Sequence, residues 1–100
     1  MKKYYVYVED NELEISEHPP SSNPLPCKRL FENLSEYLKS NGYELVYFSG
    51  RSHREEVYRK DGEIIILIYD FCLIRTNLAQ TVVTTLIRNC LSRLSFSGVI

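Results

Sequence analysis

Hydrophobic and polar positions change period several times along this chain, and one stretch is apolar without interruption. From Ile64 to Ile68 every residue is aliphatic, and Tyr69 closes the run. Four β-branched isoleucines in five positions lose χ1 freedom in a helix and fit a pleated surface, so the stretch predicts a strand. Unbroken apolarity lacks the alternation of a strand wetted on one side, which predicts cover on both faces. Asp61-Gly62 stands immediately before it. That dipeptide tolerates the positive φ angles of a type I′ turn and predicts a hairpin with Arg59 opposite Ile64, Val57 opposite Ile66 and Glu55 opposite Ile68. Tyr43 to Ser49 alternates as a further strand, and Gly50 to Arg54 is the polar turn that links it to Glu55–Lys60. Tyr4 to Val8 and Leu13 to Ser16 predict a short N-terminal hairpin or one bent strand.

Two segments carry helical spacing instead. Cys27, Leu30, Phe31, Leu34, Tyr37 and Leu38 share one face, with Lys28, Glu32, Glu36 and Lys39 opposite. Asn23 is the expected cap, Pro24 and Pro26 fit a first turn, and Asn41-Gly42 supplies a left-handed stop. From Thr76 to Leu94 the β-branched run Thr81–Thr85 argues against a helix, but Ala79, Val83, Ile87, Cys90 and Leu94 recur at three and four residues. Asn77 and Gln80 resemble a capping box there. The apolar arc of this second helix is wider than one sheet face requires. Its excess predicts a homodimer or another protein partner, with an interface at Val83, Ile87, Leu91 and Leu94.

The resulting expectation is an α+β fold: residues 1–18 form an N-terminal strand or hairpin, and the Pro- and Ser-rich segment 19–23 is a linker. Residues 24–95 form a two-layer α-β-β-β-α domain, and 96–100 an apolar tail. One hundred residues with 44% hydrophobic and 25% charged composition can fold without disulfides or metal. The net charge of −1 hides an asymmetry. Acids dominate the first twenty residues, whereas Arg75, Arg88 and Arg93 stand in the last thirty with no acid. Cys27, Cys72 and Cys90 are odd in number and lack a CxxC pair, which points to free thiols in a reducing compartment. With no apolar core for a signal peptide and no stretch long enough for a membrane span, the chain is expected in the cytoplasm, away from membranes.

The order α-β-β-β-α, with Tyr43-Glu44-Leu45-Val46 and then Ser49-Gly50-Arg51-Ser52-His53, resembles the double-stranded RNA-binding domain over about residues 24 to 95. In that family the loop between the first two strands ends in a histidine and enters a minor groove. The first helix contacts a neighbouring minor groove, and lysines opening the last helix grip phosphates. The resemblance implies RNA contacts at Arg51, Ser52, His53 and Arg54, with Glu32 or Asn33 as counterparts on the first helix. Where the family has its lysines, this chain has Thr76-Asn77-Leu78-Ala79-Gln80. Fewer phosphate contacts imply weak duplex RNA binding without sequence preference, or the adaptor role of family members that bind proteins.

A homodimeric protein-interaction domain without nucleic acid is the alternative. The same layout also suggests a degenerate PD-(D/E)xK nuclease, drawing on Glu32, Glu36, Asp61, Glu63 and Asp70. That chemistry needs an acid and a Glu-x-Lys on adjacent strands to hold Mg²⁺, and after Asp61 the strand runs Ile66-Leu67-Ile68. No phosphate loop, nucleophile elbow or metal-ligand spacing is present in the sequence, so no enzyme activity and no cofactor is expected.

Overall fold

The computed structural model describes residues 2–10, 12–21, 23–70 and 72–93, with side-chain surroundings as far as residue 88. The chain is an α+β domain. Its strands are β1 (Tyr4–Glu9), β2 (Glu12–Ser16), β3 (Glu44–Ser49), β4 (Arg54–Lys60), β5 (Glu63–Asp70) and β6 (Leu73–Thr76), and its helices are α1 (Lys28–Ser40) and α2 (Gln80–Arg93). All six strands form one antiparallel sheet in the order β2-β1-β6-β5-β4-β3.

The Asp61-Gly62 hairpin has the register expected of it: Arg59 pairs with Ile64, Val57 with Ile66 and Glu55 with Ile68. Both turn residues have positive φ, 49° and 82°. Among the described residues, the following strand does not have the expected cover on both faces. Ile65, Leu67 and Tyr69 are buried, while Ile64, Ile66 and Ile68 are only half-buried. Both helices contribute to the core cluster that contains Ile65 and Leu67, so the isoleucines between them point to the opposite, open side of the sheet.

The expected order lacked one strand. Beyond Asp70 the chain turns back into β6, with Asp70 paired to Leu73 and Cys72 at φ 64°. β6 also joins the N-terminal hairpin to the rest, because Val6 pairs with Ile74 and Tyr4 with Thr76. Residues 1–18 are therefore not a separate piece: Tyr4, Val6 and Val8 lie in the common core, and the Tyr4 hydroxyl donates to the Leu78 carbonyl.

The cap position of α1 is Cys27 rather than Asn23, and the helix begins at Lys28. A residue before proline is pushed towards extended backbone, and two such residues, Asn23 and Leu25, precede the helix. Leu25 instead donates its N–H to the Val8 carbonyl at 2.9 Å, extending the sheet locally. The stop is as expected: Gly42 has φ 84°, its N–H bonds to Lys39 O, and Tyr43 N–H bonds to Leu38 O, which is a Schellman closure. Leu30, Leu34 and Leu38 are fully buried beneath it, each worth roughly 1.5 to 3 kcal/mol before entropy.

α2 starts four residues later than the periodicity implied, because Thr76 belongs to β6 and Asn77 is not a cap. The Thr76 hydroxyl donates to Ile66 O, and the Asn77 side chain accepts from Ile66 N–H and donates to Ile64 O. An amide side chain thus pairs with β5 where the strand beside it has ended.

Candidate functional site

A cleft of about 540 Å³ lies between the outer face of α1 and the strands that begin at the β3–β4 loop. From α1 it takes Lys28, Glu32, Glu36 and Lys39, which recur at helical spacing, together with Phe31 and Ser35 nearer the core. From the loop it takes Arg51. Gly50 shapes that loop: its φ is 83°, and a Cβ there would lie 1.7 Å from the His53 carbonyl oxygen. From β4 come Arg54 and Glu56, which share a face because side chains alternate along a strand. Phe31 and Tyr69 meet in the cleft lining with ring centroids 5.6 Å apart.

Glu56 is 2% exposed and is fully bonded. Its Oε1 lies 2.5 Å from both the Ser35 and the Tyr58 hydroxyls, and these two hydroxyls are also 2.5 Å apart. Its Oε2 accepts from Arg54 Nε at 2.6 Å. Burial pushes the carboxyl up, but the hydrogen bonds from Ser35, Tyr58 and Arg54, with the Arg54 charge, outweigh it and hold the group below the ordinary glutamate value. Tyr58 is driven the other way, by burial first and then by its bond to Glu56.

The carboxylate therefore acts as a fixed anchor. It engages Arg54 through Nε, the guanidinium sits 5.2 Å from the centroid of the Phe48 ring, and the Nη groups have no hydrogen-bond partner among the described residues. Lys28, Lys39 and Arg51 form no ion pair among the described residues either. The cleft thus presents four cations, one of them held in place, interleaved with the two exposed acids Glu32 and Glu36. Such a surface can bind an anionic backbone carrying hydroxyl donors.

Of the residues singled out from sequence, Arg51, Arg54 and Glu32 come together in this cleft. Ser52 is exposed in the loop, and the His53 ring bonds to Asp70 at the end of β5. Asn33, half-buried on α1, is not part of the cleft lining. Of the interface expected on α2, Val83 and Ile87 belong to the chain's own core and so are not on an outer face. The side chain of Leu91, and Leu94 altogether, lie outside the described residues.

Ser35, Glu56, Lys28 and Lys39 were not picked out from sequence. Val57 and Tyr58 are both apolar, so the alternation of β4 could be read in either phase, and only one phase turns Glu56 inward. The acids of the nuclease alternative do not assemble: Asp61 and Glu63 are at the β4–β5 hairpin, Asp70 pairs with His53, and Glu32 and Glu36 are on α1. Among the described residues no cluster of three potential metal ligands is present, and no helix is long and apolar enough to cross a membrane. Cys27 is buried, its thiol donates to Cys72 O at 3.4 Å, and burial with the neighbouring Cys72 pushes its pKa up to about 12. Comparison of the chain with protein-family models, curated proteins and solved structures finds no match.

Proposed function

We propose that this chain is a small non-catalytic binding module, and that its cleft takes a stretch of sugar–phosphate backbone in the manner of the double-stranded RNA-binding domain it resembles. The observation that supports this is the convergence of Arg51, Arg54, Lys28 and Lys39 on one cleft, with Arg54 anchored by the buried Glu56. Glu32 and Glu36 beside these cations suit ribose 2′-hydroxyls, which donate hydrogen bonds. Binding is weak, because the segment before α2 brings no lysine, and each lost phosphate contact reduces the salt-dependent part of the affinity.

Fluorescence anisotropy with duplex RNA, duplex DNA and single strands at low salt tests this reading. The expected result is weak, sequence-indifferent binding to duplex RNA that falls as salt rises with a log-log slope of roughly −3. Lys28→Ala and Arg51→Ala, both exposed and unpaired among the described residues, each lower it. Lysines at Ala79 and Gln80, also exposed, raise it, whereas Thr76 and Asn77 are unsuitable positions because both bond to β5. Absence of salt-sensitive binding, or indifference to Lys28→Ala with Arg51→Ala, rejects the reading.

A second reading, a protein-interaction module, draws on the side of the sheet away from the helices. Val57, Ile64, Ile66 and Ile68 are half-buried there, and Tyr47, the direct partner of Val57, is exposed on the same face of the edge strand β3. Edge strands and aliphatic sheet faces of this kind are adhesive in water.

A further inference from the structure

We infer that the open face of the sheet is a self-complementary docking surface, and that its occupant is a second copy of this chain. The inference deepens the protein-interaction reading and is independent of the cleft. It rests on the side-chain row that crosses the sheet at Ile68. Glu55 on β4 and Arg75 on β6 are the direct partners of Ile68 on its two sides. Direct cross-strand partners project to the same face, so an acid and a base flank one isoleucine. Both are exposed, and neither has an ion pair among the described residues. Arg75 and Ile68 also line a shallow hollow of about 90 Å³ with Tyr5, Asp70 and Leu73.

A twofold axis parallel to β5, lying between two facing sheets, keeps the strand direction and exchanges the two sides of the strand. Ile64, Ile66 and Ile68 of one copy then meet the same residues of the other. Glu55 of each copy lies over Arg75 of its mate, which forms two reciprocal ion pairs around an aliphatic centre. Facing sheets pack about 10 Å apart with their strands nearly aligned, a gap that glutamate and arginine can bridge. The dimer expected from the width of α2 is thereby moved to the other side of the molecule, where both the aliphatic groups and the unpaired charges are. Strands β3 to β6 offer roughly 400 Å² per copy, about half of what a standard specific interface buries, so the dimer is weak and concentration-dependent.

Sedimentation velocity of the whole chain from micromolar to hundreds of micromolar tests this. The wild type is expected to pass from monomer to dimer across that range. Glu55→Arg and Arg75→Glu, both at exposed positions, each place like charges together twice and raise the dissociation constant on the order of tenfold or more, with the fold intact by circular dichroism. An equal mixture of the two variants restores the dimer. One variant carries arginine at both positions and the other glutamate at both, so each contact between unlike copies joins opposite charges. The double variant restores it as well. A chain that stays monomeric throughout, or a dimer indifferent to both reversals and to mixing, overturns the inference. Hydroxyl-radical footprinting of a monomer then separates the two readings. Reactive Ile68 and Val57 leave the face open to a different protein, and protected ones show it covered by its own chain, which rejects protein docking there too.

Discussion

The Ser35 hydroxyl of α1 and the Glu56 carboxylate of β4 meet 2.5 Å apart, joining helix and sheet through a polar contact inside a mostly apolar layer. Tyr58 and Arg54 complete the coordination of that carboxylate. A buried charge with all its partners in place costs little, whereas removing the acceptor leaves two hydroxyls and a guanidinium without it.

Glu56→Ala is therefore expected to destabilise the chain by about 3 kcal/mol, read from urea unfolding midpoints. Ser35→Ala costs less, about 1 kcal/mol, since Tyr58 and Arg54 still hold the carboxylate. In a double-mutant cycle the two substitutions should be strongly non-additive. Additive effects would mean that the contact does not couple helix to sheet.

Stability should fall at both ends of the pH scale. The Glu56 carboxyl titrates below its ordinary value of 4.5 when folded, so its contribution is complete above that value and is lost as pH falls through the folded one. Tyr4 and Cys27 shift the other way. Burial raises Tyr4 from 10.0 to about 12, and burial with the nearby Cys72 raises Cys27 from 9.0 to about 12. Their contributions are complete below pH 9 and are lost as pH rises towards 12. Glu56→Gln should flatten the acid limb of a stability profile, and Tyr4→Phe should make the alkaline one shallower, the rest of it coming from Cys27, Tyr58 and Tyr69, which are also raised; unchanged limbs would refute the assignments.

Gly50 and Gly62 share nearly the same backbone, with φ of 83° and 82°, but not the same surroundings. Nothing lies within 4 Å of a Cβ at Gly62, so Gly62→Ala pays only the left-handed backbone cost of about 1 kcal/mol. Gly50→Ala must also displace the His53 carbonyl, and its melting temperature should drop clearly further. Equal drops would show that the β3–β4 loop yields freely.

On β5 the two faces predict opposite sensitivities for adjacent residues. Leu67→Ala opens the core and should cost about 2 to 5 kcal/mol, while Ile66→Ala on the open face should cost about 1 kcal/mol. Comparable losses in a monomeric sample would place a cover over Ile66.

Much of what depended on a few neighbouring residues was legible in the sequence. Asp61-Gly62 specifies its own turn, and the turn then dictates the register of β4 on β5. The apolar stripe of α1 and its stop at Asn41-Gly42 are equally local, since a helix face and a left-handed cap repeat within one turn. Arg51, Arg54 and Glu32 could be named as candidates from the loop and helix they occupy. Their convergence, and the buried Glu56 that anchors Arg54, depended on which phase of β4 faces α1. Tertiary structure likewise decided that the two helices cover β5 on one side only, since an unbroken aliphatic run states how much apolar surface exists but not where the helices settle. It also added β6, whose turn places Cys72 at φ 64° without the glycine or asparagine that would have announced it. Through β6 the N-terminal hairpin entered the sheet, because the pairing of Val6 with Ile74 joins residues too far apart in the chain for any local pattern to encode.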